Sequence, residues 1–504
     1  MSGSRPLVSV LVVATVLTLP ACAGKHPPTT SAAVLRPAVR EIQSDLGRVF
    51  GAPIMERGVW GVDVMSLATG ERLYTLNAGK LMMPASNMKI LTLAAAAETL
   101  GWDHRFETVL EARGSVSSGV LHGDLIVRSN GDPTINSRND RANAVFGEWI
   151  AALTAAGISA VDGRIIGDDQ AFDDEGIGAG WAWDYLQYSY AAPVGALELN
   201  ENTATLQVSP GIAAGAVPIV NLEAGSGLTL VNRAITGAPG SEDTIEYRRL
   251  IDRPVLEVRG SVPEGAGLSQ HFVAVVNPTI YFVRSLKTAL VAGGIAVTGE
   301  AVDLDDTSAE LLAAPPQETR LLASTPSPPL REIAIVLMKV SQNLYADTLL
   351  KALGAARGGL GTAEGGRVAA RAVFDAWGVP RDAYTMYDGS GLSRYNYVTA
   401  RALTTILEHM YRDPRHRDAF LATLPIAGRD GTLASRLGRT RAAGNALAKT
   451  GSISNVRSLS GFVRSRDDET FVFSILANDF PIASATVNYI ADLAVEILSN
   501  FTRK

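Results

Sequence analysis

The sequence predicts a mixed α/β (α+β) protein in which one core is interrupted by a β-rich insertion. Residues 38–104 carry the patterns of a helix, a hairpin and an apolar helix, and residues 105–325 consist of short β-type runs between turn residues. From residue 326 helical patterns resume and the chain closes with strands and a helix. The first and last stretches can share one core if the middle is an insertion, which we expect to form two small nested domains.

The composition limits the classes of function. With 504 residues, of which 47% are hydrophobic and 19% charged, the chain can bury a globular core, and its net charge of -6 argues against a nucleic-acid binder. A single cysteine, Cys22, excludes disulfides within the chain and cysteine-based zinc sites. The six histidines are scattered and form no H-E-x-x-H motif. We therefore expect neither a metal site nor a cofactor.

Residues 1–23 predict an export signal. Arg5 supplies the positive charge, residues 7–19 form an apolar run too short to span a membrane comfortably, and small residues follow. Two endings fit: cleavage at Ala21-Cys22-Ala23 would release a soluble protein, whereas Leu19-Pro20-Ala21-Cys22 resembles a bacterial lipobox despite its unusual Pro20. The position of the only cysteine favours lipidation of Cys22. We expect an exported protein of the periplasm or cell envelope, with a linker at 24–37, that touches a membrane only through such an anchor.

The first part of the predicted core leads to a candidate nucleophile. A helix over Ala38–Phe50 and strands over Gly58–Val64 and Arg72–Leu76 are expected. Pro84 then stands where an Ala- and Leu-rich helix begins, so that Ser86 falls in the first turn.

Lys89 follows Ser86 by three residues and therefore lies on the same helix face. A serine hydroxyl becomes nucleophilic when a base takes its proton, and a lysine whose pKa is lowered by burial or neighbouring cations can be that base. An isolated S-x-x-K is also common on surface helices, so its meaning depends on partners elsewhere in the chain.

The elements of the insertion and of the C-terminal part can be placed from their periodicity. In the insertion we expect strands at Gly123–Arg128 and Thr203–Val208, helices at Ala144–Ala156 and Thr279–Ala292, and a loop, not a phosphate-binding turn, at Gly176-x-Gly178-x-Gly180. After the Pro-rich boundary at 325–329 we expect helices at Leu330–Val340, Leu344–Leu353, Ala363–Trp377 and Ala400–Tyr411, strands at Leu459–Arg464 and Thr470–Ala477, and a helix at Ser484–Leu498.

Two short motifs of the C-terminal part could complete a site around Ser86. Ser341-Gln342-Asn343 separates two helical runs, which predicts that Ser341 and Asn343 share a turn and point into one cleft. Lys449-Thr450-Gly451-Ser452 precedes the strand around Leu459, and Gly451 would allow a substrate or a facing backbone to approach closely. Each motif alone carries little information.

Together, S-x-x-K, S-x-N and K-T-G in this order resemble the signature of serine β-lactamases and penicillin-binding proteins. Longer blocks resemble one group of these, the class C low-molecular-weight penicillin-binding proteins, which are D-alanyl-D-alanine carboxypeptidases and endopeptidases. The blocks are Pro84–Lys89, Gly131–Thr134, Tyr387–Asn396, Leu424–Leu433 and Ala448–Ser452. The long spacing between Ser86 and Ser341 also fits, because inserted domains occupy it in that family. Gln342 departs from the family, where many relatives carry Asp.

The resemblance implies a transpeptidase-type fold, an antiparallel sheet flanked by helices with β-rich inserted domains, and an acyl-enzyme mechanism on peptidoglycan stem peptides. It implies that β-lactams acylate the enzyme. For the chemical step it implies Ser86 as nucleophile, Lys89 as base, and Ser341 with Lys449 as the route that returns the proton. For substrate binding it implies that Asn343 holds the substrate amide and Lys89, that Lys449 and Thr450 bind the carboxylate, and that Gly451 and Ser452 contribute backbone. The N–H groups of Ser86 and Ser452 would form the oxyanion hole. Arg394 either lies near the side chain of the substrate or forms a surface salt bridge.

Three alternatives remain at the level of sequence. A β-lactamase uses the same motifs but needs a base for rapid deacylation, such as a glutamate, and no such residue can be identified. A Ser-His-Asp esterase is disfavoured, because there is no G-x-S-x-G and no histidine stands out. A catalytically silent envelope-binding protein on the same scaffold is the third, since fold alone does not establish activity.

Overall fold

The computed structural model describes residues 37–307 and 318–503. The predicted export signal, Cys22 and most of the predicted linker lie outside the described residues. Within the described ranges, every helix is too short or too polar to cross a membrane. The longer helices are α1 Pro37–Phe50, α2 Met88–Thr99, α3 Arg141–Ala155, α4 Pro278–Ala292, α5 Leu330–Lys339, α6 Asn343–Ala355, α7 Ala363–Ala376, α8 Ala400–Arg412, α9 Arg417–Thr423 and α10 Ser484–Asn500.

Strands from both ends of the chain and from the middle region build several sheets. In chain order they are β1 Val59–Ser66, β2 Arg72–Leu76, β3 Glu107–Ser117, β4 Val120–Ser129, β5 Ala160–Val161, β6 Ile165–Asp168, β7 Thr203–Ser209, β8 Ile219–Leu222, β9 Thr229–Asn232, β10 Ile235–Gly237, β11 Glu246–Arg249, β12 Val255–Arg259, β13 Ser261–Pro263, β14 Ser269–Ala274, β15 Ala296–Val297, β16 Ala301–Asp303, β17 Thr319–Pro326, β18 Tyr384–Thr385, β19 Tyr397–Val398, β20 Leu447–Ile453, β21 Val456–Arg464 and β22 Thr470–Asn478.

The central sheet joins the two ends of the chain. Its strand order is β2-β1-β22-β21-β20, and all neighbours are antiparallel. Both faces of β22 are covered, which explains its nearly continuous apolar sequence: Phe471 and Phe473 pack with α1 and α10, whereas Val472 and Leu476 pack with the helices on the other side. The predicted antiparallel sheet flanked by helices is confirmed.

The middle region enters and leaves this core through neighbouring strands. β3 pairs antiparallel with β17, with Glu107 opposite Pro326, so the two ends of the insertion lie side by side. The sheet that contains them and the smaller sheets around β7 and β12 bury their apolar residues in one continuous cluster between Leu110 and Ala301. On this basis we propose that 38–104 and 326–504 form one domain and that 105–325 is inserted; its division into two nested domains stays a prediction.

Most predicted elements are present within a few residues of their expected bounds. One strand of the central sheet was missed: Lys449-Thr450-Gly451 does not merely precede a strand but lies within β20, at the edge of that sheet. The loop prediction for Gly176–Gly180 is confirmed. β17 extends to Pro326 and so reaches into the Pro-rich stretch at 325–329.

Candidate active site

Ser86 lies in a tight turn at the edge of the central sheet. A 3-10 turn over Ala85–Asn87 holds it and runs directly into α2, so Ser86 precedes the α-helix instead of lying within its first turn as predicted. Ala85 is fully buried and has a φ of 46°, a left-handed conformation that is costly for a residue with a Cβ and is concentrated at functional sites. The side-chain amide of Asn87 donates to the hydroxyl of Ser460 at 2.7 Å, which fixes the turn to β21.

Lys89 is the best-fixed cation of the site. It is 0% exposed, and its Nζ lies 3.0 Å from the Oγ of Ser86. Nζ also donates to the Oδ1 of Asn343 at 2.6 Å and to the carbonyl of Ser390 at 2.8 Å. Three acceptors around one amine therefore hold it against the hydroxyl of Ser86.

Burial lowers the pKa of Lys89 to about 8, and the carboxylates of Asp347 and Asp388 oppose this effect. Near neutral pH a useful fraction of Lys89 is then uncharged, as a general base requires. The sequence argument for a buried lysine beside Ser86 agrees with this geometry.

Ser341 and Asn343 lie where α5 turns into α6. Ser341 has a φ of 65°, again left-handed, and Asn343 is the first residue of α6, so both side chains reach the cleft from one short turn. The amide nitrogen of Asn343 donates to the carbonyl of Tyr190 at 2.7 Å. Gln342, between them, does not line the cleft, and its Oε1 accepts from the N–H of Leu344 at 2.9 Å, capping α6.

Lys449 approaches Ser341 from β20. It is 0% exposed, and its Nζ donates to the Oγ of Ser341 and to the carbonyl of Thr450, both at 2.8 Å. Burial and the neighbouring Lys89 hold the pKa of Lys449 well below its usual range. Ser86, Lys89, Ser341 and Lys449 thus form two lysine–serine pairs on one side of the cleft.

Gly451 lets β20 pack against the turn of Ser86. A Cβ at this position would lie 2.7 Å from the carbonyl oxygen of Pro84 and 3.0 Å from the backbone nitrogen of Ser86. The hydroxyl of Ser458, on the next strand, donates to that same carbonyl at 2.7 Å. The hydroxyl of Thr450 lies beside the site and donates to the hydroxyl of Thr432 at 2.7 Å.

These groups open into a cleft of about 580 Å³. Among the described residues, no Asp or Glu lines this cleft. Sequence reasoning missed part of the lining, including Tyr185 and Tyr190 from the insertion and Arg457 from β21. The lining consists of Ser86, Tyr185, Tyr190, Ser341, Asn343, Gly391, Leu392, Thr432, Thr450, Gly451, Ser452, Ile453, Ser454, Asn455, Arg457 and Ser484.

Arg394 lies beside this cleft but does not line it. Its guanidinium donates to the carbonyl of Ser454 at 3.1 Å, and Ser454 is a lining residue. Within the described ranges Arg394 has no ion pair, so the alternative of a surface salt bridge is not observed there. A position next to the substrate side chain stays a prediction.

Two groups of acidic and histidine side chains bring potential metal ligands together elsewhere, Glu98 with Asp413 and His416, and Asp169 with Asp303 and Asp305. Neither group lines the cleft. In the first group the ring of His416 is already bonded, to the indole N–H of Trp102 at 3.1 Å and to Glu98 at 2.7 Å.

Comparisons with known proteins agree with this geometry. The model of the D-Ala-D-Ala carboxypeptidase 3 (S13) family matches residues 42–500. A D-alanyl-D-alanine carboxypeptidase of Actinomadura sp. (strain R39) is 35% identical over 87% of this chain and 81% of its own, and the penicillin-sensitive carboxypeptidase A of Dictyostelium discoideum is 27% identical over 88% and 87%. The crystal structure of penicillin binding protein 4 (dacB) from Haemophilus influenzae superposes with a TM-score of 0.78 at 25% identity, covering 91% of this chain and 99% of that one.

Proposed function

The chain belongs to the D-Ala-D-Ala carboxypeptidase 3 (S13) family and is a serine D-Ala-D-Ala carboxypeptidase, and from this premise we propose that Ser86 is its nucleophile and Lys89 the base that activates it. The observation that carries the proposal is the 3.0 Å contact between the Oγ of Ser86 and the Nζ of a fully buried lysine. The silent-scaffold alternative has no support in these findings.

In the proposed reaction the Oγ of Ser86 attacks the carbonyl carbon between the last two D-alanines of a stem peptide. The new O–C bond replaces the C–N bond, and the proton of Ser86 passes to Lys89. The leaving amine takes a proton from the hydroxyl of Ser341, which Lys449 replenishes through their 2.8 Å hydrogen bond. Water then attacks the acyl carbon: its oxygen forms the new C–O bond, the bond to the Oγ of Ser86 breaks, and the hydroxyl of Ser86 regains a hydrogen as the shortened peptide leaves. Lys89 has gained one proton and Lys449 has lost one, so transfer of a proton from Lys89 to Lys449 restores the enzyme.

Lys449 has a second role in the proposal, as the site of the terminal carboxylate of the substrate. Burial and the neighbouring Lys89 keep its pKa low, but an arriving carboxylate favours the charged lysine. Substrate binding is therefore expected to take up a proton at Lys449. Thr450 and the backbone of Gly451 and Ser452 complete the subsite, and the N–H groups of Ser86 and Ser452 form the oxyanion hole.

We further propose that β-lactams acylate Ser86 and leave slowly. Two of the related proteins are named for penicillin binding or penicillin sensitivity. Rapid deacylation would need a positioned base at the cleft, and the described lining contains no carboxylate. This favours a penicillin-sensitive peptidase over a β-lactamase on the same scaffold.

The proposed setting is the cell envelope, where peptidoglycan is found. The substrates are stem peptides that end in D-Ala-D-Ala, and cross-linked peptides if the enzyme is also an endopeptidase. Export through residues 1–23, with or without a lipid on Cys22, would bring the enzyme there.

Release of free D-alanine from a synthetic stem peptide tests the function. The wild type should release it, Ser86→Ala should not, and Ser341→Ala should be slower by about 10²-fold. Ser137→Ala is the matched control, because Ser137-Arg138-Asn139 is a second S-x-N outside the cleft. Equal rates for the wild type and Ser86→Ala would refute the assignment. A cross-linked dimeric peptide in the same assay measures endopeptidase activity.

A further inference from the structure

Asp347 lies one turn beyond Asn343 on α6, outside the three motifs. Residues four apart share one face of a helix, and on this face Asn343 already contacts Lys89. Asp347 is 6% exposed, and within the described part of the chain Lys89 donates to Ser86, Asn343 and Ser390 and not to Asp347. The hydrogen bonds that its carboxylate oxygens accept therefore indicate its role.

One carboxylate oxygen of Asp347 organises the turn that faces Lys89. This Oδ1 accepts the backbone N–H of Gly389 at 2.6 Å and that of Ser390 at 3.1 Å. The carbonyl of Ser390 in turn accepts from the Nζ of Lys89 at 2.8 Å. The hydroxyl of Thr92 donates to the carbonyl of Gly389 at 2.7 Å and holds the same turn from α2.

The other oxygen of Asp347 is buried and has no hydrogen-bond partner within the described residues. An unsatisfied buried carboxylate oxygen is costly for stability. Burial and the negative charge of Asp388 raise the pKa of Asp347. The fold thus keeps a carboxyl group where stability alone disfavours it.

We infer that Asp347 is a positioning residue for the acylation step. It holds the 389–390 turn so that the carbonyl of Ser390 fixes Lys89, and its charge contributes to the proton affinity of Lys89. The inference rests on the proposed function, because it presupposes that Lys89 is the base. Asp347 contacts neither Ser86 nor the cleft and acts only through Ser390 and Lys89.

Three titratable groups face Lys89 from the elements packed around it. Asp347 approaches from α6, Asp388 from the loop after β18, and Lys449 from β20. Asp388 is engaged by its own loop, since it accepts the backbone N–H groups of Gly391 and Ser393 at 2.8 and 2.6 Å. Removing the charge of Asp347 while keeping its shape should therefore make Lys89 easier to deprotonate.

The experiment measures the rate of acylation by benzylpenicillin from pH 6 to pH 10, by intact mass after quenching. Asp347→Asn keeps an oxygen that can accept both N–H groups but removes the charge, and Asp347→Ala removes both. Asp63→Asn is the matched control, because Asp63 is a fully buried carboxylate on β1 that accepts from Thr404 at 2.5 Å, away from the cleft.

For Asp347→Asn we expect the midpoint of the pH profile to move down by about one unit, with a plateau close to that of the wild type. For Asp347→Ala we expect the plateau itself to fall by about 10- to 100-fold, because the carbonyl partner of Lys89 is no longer held in place. Asp63→Asn should keep the wild-type midpoint even if its thermal stability drops.

An unchanged midpoint in Asp347→Asn, or a wild-type plateau in Asp347→Ala, would overturn the inference. If Asp347→Ala does not fold, the profile of Asp347→Asn decides alone. Failure of the proposed function is distinguishable, because in that case the wild type itself would not be acylated at Ser86.

Discussion

The pH dependence of acylation follows directly from the burial of Lys89. Its pKa is about 8 and the base must be uncharged, so the reactive fraction is about 9% at pH 7, half at pH 8 and about 90% at pH 9. The acylation rate should therefore rise about tenfold between pH 7 and pH 9 and then level off. The sign is fixed by chemistry, because protonation at low pH removes the lone pair that accepts the proton of Ser86.

The assay is the pseudo-first-order rate of acylation by benzylpenicillin, measured in buffers of constant ionic strength, with Lys89→Arg alongside. An arginine stays protonated throughout this range, so that variant should remain slow at every pH. A wild-type rate that is flat from pH 6 to pH 9, or that falls as pH passes 8, would show that neutral Lys89 is not the base.

Three further predictions concern Gly451, Gln342 and Cys22. A Cβ in Gly451→Ala would lie 2.1 Å from the Oγ of Ser458, so β20 must move. Acylation should then slow by about 10²-fold, while the circular dichroism spectrum stays that of the native protein. An unchanged rate would contradict the close packing. The side-chain amide of Gln342 donates to Glu201 at 2.6 Å, so repulsion in Gln342→Glu should slow acylation by about threefold or more. In a double-mutant cycle, adding Glu201→Gln should restore most of the lost rate. No recovery would show that the two residues are not coupled. Cys22→Ala should remove a hydrophobic mass from the mature N-terminus, and an unmodified wild-type N-terminus would refute lipidation.

Local chemistry made part of the site predictable. Pro84 and the Ala-rich run marked the start of α2, which predicted that Lys89 lies close to Ser86. The S-x-N motif fell between two helical runs, which predicted a turn. These patterns depend on residues within one or two helical turns of each other, and such local structure can be predicted from the sequence.

The rest depends on contacts between distant parts of the chain. The carbonyl of Ser390 fixes Lys89, and the carbonyl of Tyr190 fixes Asn343. Because every residue type has a backbone carbonyl, no side chain in the sequence marks residue 190 or residue 390 as a partner. β20 was missed because Ala448-Lys449-Thr450-Gly451-Ser452 has little β propensity, and only pairing with β21 makes it a strand. Ser86 lies in a 3-10 turn before α2, and Ala85 beside it is left-handed, which its residue type does not predict.

The central claim is that Ser86 forms a covalent acyl-enzyme. Its most direct test is the intact mass of the protein after incubation with benzylpenicillin, with Ser86→Ala beside the wild type. The account predicts that the wild type gains the mass of one penicillin molecule and keeps it for longer than the incubation, while Ser86→Ala gains nothing. A wild type without adduct in the presence of intact drug, or an adduct on Ser86→Ala, would contradict the account, and consumed drug without adduct would indicate a β-lactamase.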